Sequence, residues 1–245
     1  MSSFVAFGHS HVVALARGFD EMLAEPDHPN GGFHYLHDAR FVPNLTDEGG
    51  RDRLNPDLRR LVDEVGSGSV ILSIAGNEHN VLSILQTFQK FDFVLGERPE
   101  LPLEPGAEVF PEAMVRETLR DWLDDGFRLL AAFRAATSAP MAQLEAPPPL
   151  PRAHVLAHPG ELLPDPASRD KLSPEIFRYK VWRVQAGLYR EVCGKCGITY
   201  VPVFPDMVDG NGMLAAPFHG KDATHANAAF GRRMMMEAFH LLGTQ

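Results

Sequence analysis

Three short polar clusters hold the side chains of this 245-residue chain that could act together in a chemical reaction. They are Gly8–His11 (GHSH), Ala75–His79 (AGNEH) and Asp222–His225 (DATH). Together they supply a serine, a carboxamide, carboxylates and several imidazoles. These groups suit two kinds of chemistry. One uses a serine nucleophile with a histidine base, and the other uses divalent metal ions held by histidine and acid side chains.

The serine interpretation gives each cluster a role in acyl transfer. Ser10 would lie at a strand-to-helix turn, which projects its hydroxyl above a sheet. His225 would act as the general base, and Asp222, three residues earlier, would orient the imidazole and stabilise its charged form. Asn77 would donate its side-chain amide to the oxyanion that forms during attack.

The metal interpretation treats the same histidines as ligands. Gly8–His11 is similar to the Gly-His-x-His motif of calcineurin-like metallophosphoesterases, and Gly76–His79 to their Gly-Asn-His-Asp/Glu motif. Two divalent ions in such a site would activate water for phosphoester hydrolysis. The first motif lies at the wrong end of the chain, however, and the second has its acid and its histidine transposed. We therefore predict that the chain uses no metal and no other cofactor.

The apolar patterns around the clusters predict an α/β fold. Short apolar runs are typical of buried strands, and a 3.6-residue periodicity is typical of amphipathic helices. The predicted strands are Ser3–Phe7, a short strand at either Phe33–Leu36 or Arg40–Val42, Ser69–Ala75, Ala153–Ala157 and Ile198–Val203. The predicted helices are His11–Leu23, Leu58–Val65, Glu112–Ala136, Pro174–Val192 and His225–Leu242. This alternation indicates a flavodoxin-like three-layer α/β/α sandwich, with a central, mostly parallel five-stranded sheet.

The clusters fall where such a fold forms its active sites, at the carboxyl ends of strands or at the start of the last helix. We predict one domain spanning residues 1–245, with one unusual connection. Residues 88–111 are proline-rich and long for a loop, and four apolar side chains near their start could cover a substrate. This segment is therefore predicted to be a lid or an insertion, with Phe88, Phe91, Phe93 and Leu95 facing the site.

Taken in order, the clusters resemble the sequence blocks of the SGNH/GDSL hydrolase superfamily. Gly8-His9-Ser10 resembles its Gly-Asp-Ser block, Ala75–Glu78 resembles its Gly-x-Asn-Asp block, and Asp222–His225 matches its Asp-x-x-His block. The resemblance spans residues 4 to about 240. The chain departs from the family at three positions, where His9 replaces Asp, Ala75 replaces Gly and Glu78 replaces Asp.

The resemblance implies a catalytic triad of Ser10, Asp222 and His225. It also implies an oxyanion hole formed by Asn77 and by the backbone N–H groups of Ser10 and of a glycine in the interval after the first block. Gly50 is assigned to that role, with its neighbour Gly49 as the alternative. The remaining polar residues of the clusters are predicted to support the site or bind substrate: His9, His11, Gly49, Glu78 and His79.

Composition limits the partners of the chain. The residues are 44% hydrophobic and 22% charged, with a net charge of −9 at pH 7, which argues against nucleic acid or an anionic membrane as a partner. No apolar stretch reaches the length of a transmembrane helix, so no membrane insertion is predicted. No signal peptide is recognised, and Cys193 and Cys196 are the only cysteines, so a cytoplasmic location is predicted.

The preferred function is a serine acyl-ester hydrolase of the esterase or carbohydrate O-acetyl esterase type. It would act through an acyl-enzyme on Ser10, with a small-molecule or carbohydrate ester as its substrate. Two alternatives stay open. One is a binding or biosynthetic accessory protein on the same fold, made catalytically silent by the altered blocks. The other is a metal-dependent phosphoesterase that uses the histidine-rich motifs. The oligomeric state is not predicted.

Overall fold

A computed structural model describes residues 3–23, 28–86, 89–160 and 165–244 of the chain. Its strands are β1 (Ser3–Gly8), β2 (Asn30–Tyr35), β3 (Leu45–Asp47), β4 (Asp52–Leu54), β5 (Ser69–Ser73), β6 (Phe91–Phe93), β7 (Glu108–Phe110), β8 (Met141–Leu144) and β9 (Thr199–Val201). Its helices are α1 (Val12–Met22), α2 (Pro56–Glu64), α3 (Glu78–Ser83), α4 (Glu112–Ala136), α5 (Arg152–Ala157), α6 (Pro166–Asp170), α7 (Glu175–Cys196) and α8 (Ala228–Leu242). None of the helices in this part of the chain combines the length and apolarity needed to cross a membrane.

The central sheet has five strands in the order β2-β1-β5-β8-β9, and all its neighbouring pairs are parallel. All residues of β5 and β8 are buried, as expected for inner strands covered on both faces. Two separate apolar cores cover the sheet. One contains residues of α2, α4 and α7, and the other contains residues of α1, α5 and α8. The predicted three-layer α/β/α sandwich with a five-stranded sheet is confirmed.

The helices α1 and α8 cross with almost no space between their backbones. A Cβ atom on Gly231 would lie 1.9 Å from the carbonyl oxygen of Ala14, and one on Gly18 would lie 2.1 Å from the main-chain nitrogen of Arg232. Only glycine permits so close an approach at these positions. The crossing fixes the start of α1, which follows Ser10, beside the start of α8, which follows His225.

One predicted strand is wrong. Residues 153–157 lie in helix α5, and the fourth strand of the sheet is instead β8, which precedes the proline-rich run. A short apolar run does not distinguish a strand from a short helix. The polar Gln143 interrupts the apolar run of β8, so the sequence does not indicate a strand there. In the structure its side chain is buried and forms hydrogen bonds with the main chain of Ile74 and Leu144. Of the two sites considered for the second strand, the first is correct, because β2 ends at Tyr35.

The segment predicted as a lid packs against the helices instead. Phe88 lies outside the described residues, but Phe93 and Leu95 are buried in the core that α4 and α7 share. Lys180 of α7 anchors the segment, since its Nζ lies 3.0 Å from each carboxylate oxygen of the buried Asp92. Near the end of this segment, residues 108–110 form β7 and pair in parallel with β6.

Candidate active site

The loop before α8 forms the acid–histidine contact that its spacing predicts. Nδ1 of His225 lies 2.8 Å from Oδ2 of Asp222, and Oδ1 of Asp222 accepts the backbone N–H groups of Thr224 and His225, each at 2.9 Å. These bonds, led by the one from His225, hold the pKa of Asp222 well below its usual range. Asp222 is therefore ionised at neutral pH, and it fixes His225 with Nδ1 protonated and Nε2 free to accept a proton.

Ser10 lies in the same cavity as this pair. The cavity has a volume of about 610 Å³, and Ser10, Asp222 and His225 all contribute to its lining. Among the described residues, the buried Nε2 of His225 has no hydrogen-bond partner, so the bond from Ser10 that the serine interpretation requires is not formed here. Catalytic hydrogen bonds are often long or open without substrate.

His9 connects the loop of the serine to the loop of Asn77. Its Nδ1 accepts a hydrogen bond of 3.0 Å from the main-chain N–H of Ala75. Burial, together with the nearby His37, lowers the pKa of His9 to about 4, so the ring is neutral near pH 7. Because Nδ1 accepts this bond, the proton of the neutral ring lies on Nε2.

Ala75 keeps a backbone conformation that favours glycine. Its φ of +47° is the one positive φ of a non-glycine residue among the residues described. Its carbonyl oxygen accepts a hydrogen bond of 3.1 Å from the hydroxyl of Tyr189, and its N–H donates to His9. These two bonds hold the strained residue in place. The resembling family carries glycine here, so this departure leaves a glycine-like turn intact.

Asn77 is oriented by a second amide. Nδ2 of Asn80 donates a hydrogen bond of 2.8 Å to Oδ1 of Asn77. This bond occupies the oxygen of the Asn77 amide and leaves its NH₂ group as the free end. Asn77 lies two residues beyond Ala75, in the loop that His9 ties to Ser10. Asn77 therefore presents its NH₂ group as a donor, in a loop that His9 links to the loop of Ser10.

Gly49 and Gly50 do not lie at this site, which corrects the predicted oxyanion hole. Both are exposed in the turn between β3 and β4, and the N–H of Gly50 already donates to Asp47 at 2.7 Å. The error came from the distance along the chain, because the β3–β4 hairpin is inserted after β2. The residues that follow β2 at the sheet edge are those near Tyr35, which lines the cavity of Ser10, and His37, whose ring lies 4.7 Å from that of His9.

His11 and His79 are buried imidazoles near the same loop. Neither ring forms a hydrogen bond of normal geometry with the described residues, and burial is the largest cause that lowers the pKa of each ring to about 3. The ring of His11 lies 5.2 Å from that of His225, and a Cβ atom on Gly76 would approach its Cδ2 to 2.5 Å. In the described parts of the chain, no three acid, histidine or cysteine side chains converge as metal ligands. The geometry thus gives the metal interpretation no ligand set.

Glu78 lines a second cavity, to which His9 also contributes. This cavity has a volume of about 400 Å³, and its lining includes His9, Ala75, Glu78 and Trp122. Oε2 of Glu78 is buried without a partner, and desolvation raises the pKa of the carboxyl group. The side chain of Trp122 is half exposed. The neighbours His9 and Ser10 thus line two different cavities.

Several residues at these cavities were not predicted from the sequence: Arg17, Tyr35, His37, Trp122 and Lys221. A signal was available for two of them, since Tyr35 and His37 stand at the carboxyl end of a strand that had been considered. The others come from helix surfaces and a loop, and their sequence neighbours give no indication of a site.

Comparisons with known proteins identify the fold. No protein-family model matches the chain, and no curated protein matches it. Solved structures do match over nearly its whole length. One is an extracellular lipase from Streptomyces rimosus, 12% identical, with a TM-score of 0.51 and coverage of 99% of this chain and 100% of the lipase.

Two further matches have the same fold. The periplasmic domain of a lipopolysaccharide acetyltransferase from Salmonella Paratyphi A is 11% identical, with a TM-score of 0.51 and coverage of 99% of this chain and 84% of the other. A provisionally assigned acylhydrolase from Bacteroides fragilis is 10% identical, with a TM-score of 0.50 and coverage of 98% and 85%. At such identities the likeness establishes the architecture, and function must be argued from the site.

Proposed function

We propose that this chain, which has the fold of the SGNH/GDSL hydrolases, is a serine hydrolase of carboxylic esters. The observation that carries the proposal is the arrangement of groups around His225. Oδ2 of Asp222 lies 2.8 Å from Nδ1 of His225, and Nε2 of His225 has no hydrogen-bond partner among the described residues. His225 and Ser10 line the same cavity. An imidazole oriented by a carboxylate near a serine is the arrangement that activates a hydroxyl for nucleophilic attack.

In the proposed reaction, Oγ of Ser10 bonds to the ester carbonyl carbon while Nε2 of His225 takes the hydroxyl proton. Asp222 stabilises the imidazolium, and the amide of Asn77 and the N–H of Ser10 stabilise the oxyanion. The C–O bond to the alcohol then breaks, and the alcohol leaves with the proton from His225. Water, deprotonated by the same His225, attacks the acyl-enzyme and releases the acid with Ser10 restored.

We further propose a substrate with a polar alcohol, of which a carbohydrate O-acetyl ester is one example. The support is the cavity beside His9, which combines the half-exposed ring of Trp122 with the unpartnered carboxyl oxygen of Glu78. An aromatic face beside a few polar groups suits a ligand with both C–H and hydroxyl surfaces. Hydrolysis of acetylated methyl glucoside, compared with ethyl acetate, tests this preference.

A fluorophosphonate probe tests the serine mechanism. We expect the wild-type protein to be labelled once, Ser10→Ala to lose the label, and Ser138→Ala, which removes an exposed serine, to keep it. Labelling that survives in Ser10→Ala would contradict the proposal, as would a folded wild-type protein that takes no label. If the chain is instead a catalytically silent accessory protein, the folded wild-type protein should take no label.

We also propose a cytoplasmic location, supported by Cys193 and Cys196, which are both free thiols. Cell fractionation of the source organism tests it. Recovery of the protein outside the cytoplasm would contradict the proposal.

A further inference from the structure

Two cationic side chains lie at the cavity of Ser10 and His225. Arg17 of α1 and Lys221, which precedes Asp222, both contribute to its lining, and both are exposed. In the described parts of the chain, neither forms an ion pair within 4 Å of a carboxylate. Asp20 and Glu21 follow on α1 at spacings that permit a pair with Arg17, and they leave it free.

Among the described residues, Asp222 is the one acid in the lining of this cavity. It directs both of its carboxylate oxygens to its own loop, where they accept hydrogen bonds from Thr224 and from the backbone and ring of His225. Its negative charge offsets one of the two cations, so the described lining keeps an excess of positive charge in a protein whose net charge is −9.

Several other cations on this surface form ion pairs. Arg40 pairs with Asp38, Arg128 with Asp52, and Arg233 with Glu237. The acidic surface therefore supplies partners to many of its arginines. A pair of cations left open beside a nucleophile is a site for an anion, because charge-assisted hydrogen bonds to carboxylate or phosphate oxygens are among the stronger polar contacts.

We propose that the substrate is an ester that carries a negatively charged group, which Arg17 and Lys221 bind at the cavity of Ser10. This inference rests on the proposed ester hydrolase and narrows its substrate class. Val13 and Arg17 both line the cavity, so the surface of α1 forms a continuous wall. Arg17 is five residues along α1 from Val12, about 7.5 Å of helix axis, so a short spacer separates the charge from the ester carbon.

Matched ester pairs test the inference, since each pair differs only in the charge. Mono-4-nitrophenyl adipate and its methyl ester place the charge on the acyl side, and 4-acetoxybenzoate and its methyl ester place it on the alcohol side. We expect the wild-type protein to prefer the anionic member of at least one pair by about tenfold in kcat/KM. The pair that shows the preference identifies the side that faces the cations.

Variants without these charges test whether Arg17 and Lys221 cause the preference for the anionic ester. The double variant Arg17→Gln/Lys221→Gln should bring the ratio of anionic to neutral kcat/KM close to one. Lys195→Gln, which removes an exposed cation at the end of α7, is the control and should keep the wild-type ratio. Added salt should also reduce the ratio, because it screens exposed charges. A wild-type ratio near one in both pairs would overturn the inference, as would an equal loss in the control.

A binding measurement separates this inference from the catalytic proposal. In Ser10→Ala, which cannot form the acyl-enzyme, calorimetry gives the Kd of each intact ester. Tighter binding of the anionic member, lost in the background of the double variant, supports the inference even if no ester is hydrolysed. Equal binding of both members, with Ser10-dependent hydrolysis in the wild type, overturns the inference and leaves the ester hydrolase standing.

Discussion

Nδ1 of His9 accepts the main-chain N–H of Ala75 at 3.0 Å, and this bond ties the loop of Ser10 to the loop of Asn77. An Asp at this position, as in the resembling family, would offer a carboxylate oxygen as acceptor. The neutral imidazole of His9 offers a ring nitrogen instead, and burial keeps it unprotonated near pH 7. The departure that most distinguishes this sequence from the family therefore preserves an acceptor between the two loops.

Loss of this acceptor should weaken both the fold and the activity. In His9→Ala the N–H of the buried Ala75 has no acceptor, which costs about 1–3 kcal/mol. We expect that loss in the free energy of unfolding, measured with urea, together with a lower kcat for a neutral ester. His9→Asn keeps an acceptor near the position of Nδ1 and should recover most of both. Equal defects in the two variants would show that the ring is needed for another reason.

Asn77→Ala should lower kcat by about 10²–10³, with a smaller effect on KM, because an oxyanion donor acts mainly in the transition state. Asn80→Ala should give a smaller loss of about tenfold, since Asn80 acts by holding Oδ1 of Asn77. Steady-state kinetics on 4-nitrophenyl acetate measure both effects. If Asn80→Ala were as damaging as Asn77→Ala, Asn80 would have a direct role that this geometry does not give it.

Acid should destabilise the protein below about pH 6.5. The folded-state pKa of His9 is about 4, and those of His11 and His79 are about 3, all lowered mainly by burial from 6.5. Between those values and 6.5 the unfolded chain binds more protons than the folded one. Stability is therefore complete above pH 6.5 and falls as the pH falls, by up to about 1.4 kcal/mol per pH unit for each histidine.

The substitution His79→Leu tests whether buried neutral histidines cause the loss of stability in acid. It should reduce the slope of the unfolding free energy between pH 6.5 and 5 by up to about 1.4 kcal/mol per pH unit. His240→Gln, which replaces an exposed histidine near the end of α8, is the control. A wild-type unfolding free energy that is constant from pH 8 to 5 would contradict the burial of neutral imidazoles.

The buried ion pair of Lys180 and Asp92 should be essential to the segment that follows β6. Lys180→Met leaves the Asp92 carboxylate uncompensated and should destabilise the protein by about 3–5 kcal/mol. The double variant Lys180→Met/Asp92→Asn removes both charges and keeps one side-chain oxygen, which can accept from one of the two N–H groups, of Phe93 and Glu104, that Asp92 binds. We expect it to be more stable than the single variant, as measured by urea unfolding. The opposite order would mean that the segment does not depend on this pair.

Much of the fold follows from local sequence patterns. The helix predicted at Glu112–Ala136 coincides with α4, because its amphipathic repeat is long and prolines stand on both sides. Short strands and helices were harder to predict from the sequence, because whether a short apolar run forms a strand or a helix depends on the elements that pack against it. Residues 153–157 could form a strand or a helix by composition, and only the tertiary structure makes β8 the inner strand.

The same distinction holds for the candidate site, where contacts within one loop were predictable and contacts between elements were not. The spacing of Asp222 and His225 was enough to predict their contact, because three residues in one loop determine it. The error at Gly50 arose because its distance along the chain says nothing about an inserted hairpin. The bond between His9 and Ala75, and the cations Arg17 and Lys221, come from different elements. Their arrangement depends on how α1, β1 and β5 pack, which no local pattern encodes.

Trapping of the acyl-enzyme tests the central claim most directly. The protein would be mixed with 4-nitrophenyl acetate, quenched in acid within the first turnovers, digested and mapped by mass spectrometry. We expect a single acetyl group on Ser10, in amounts that fall sharply in Asp222→Asn, where the histidine loses the carboxylate that orients it. Turnover of the ester with the acetyl group on another residue, or with none on Ser10, would contradict it.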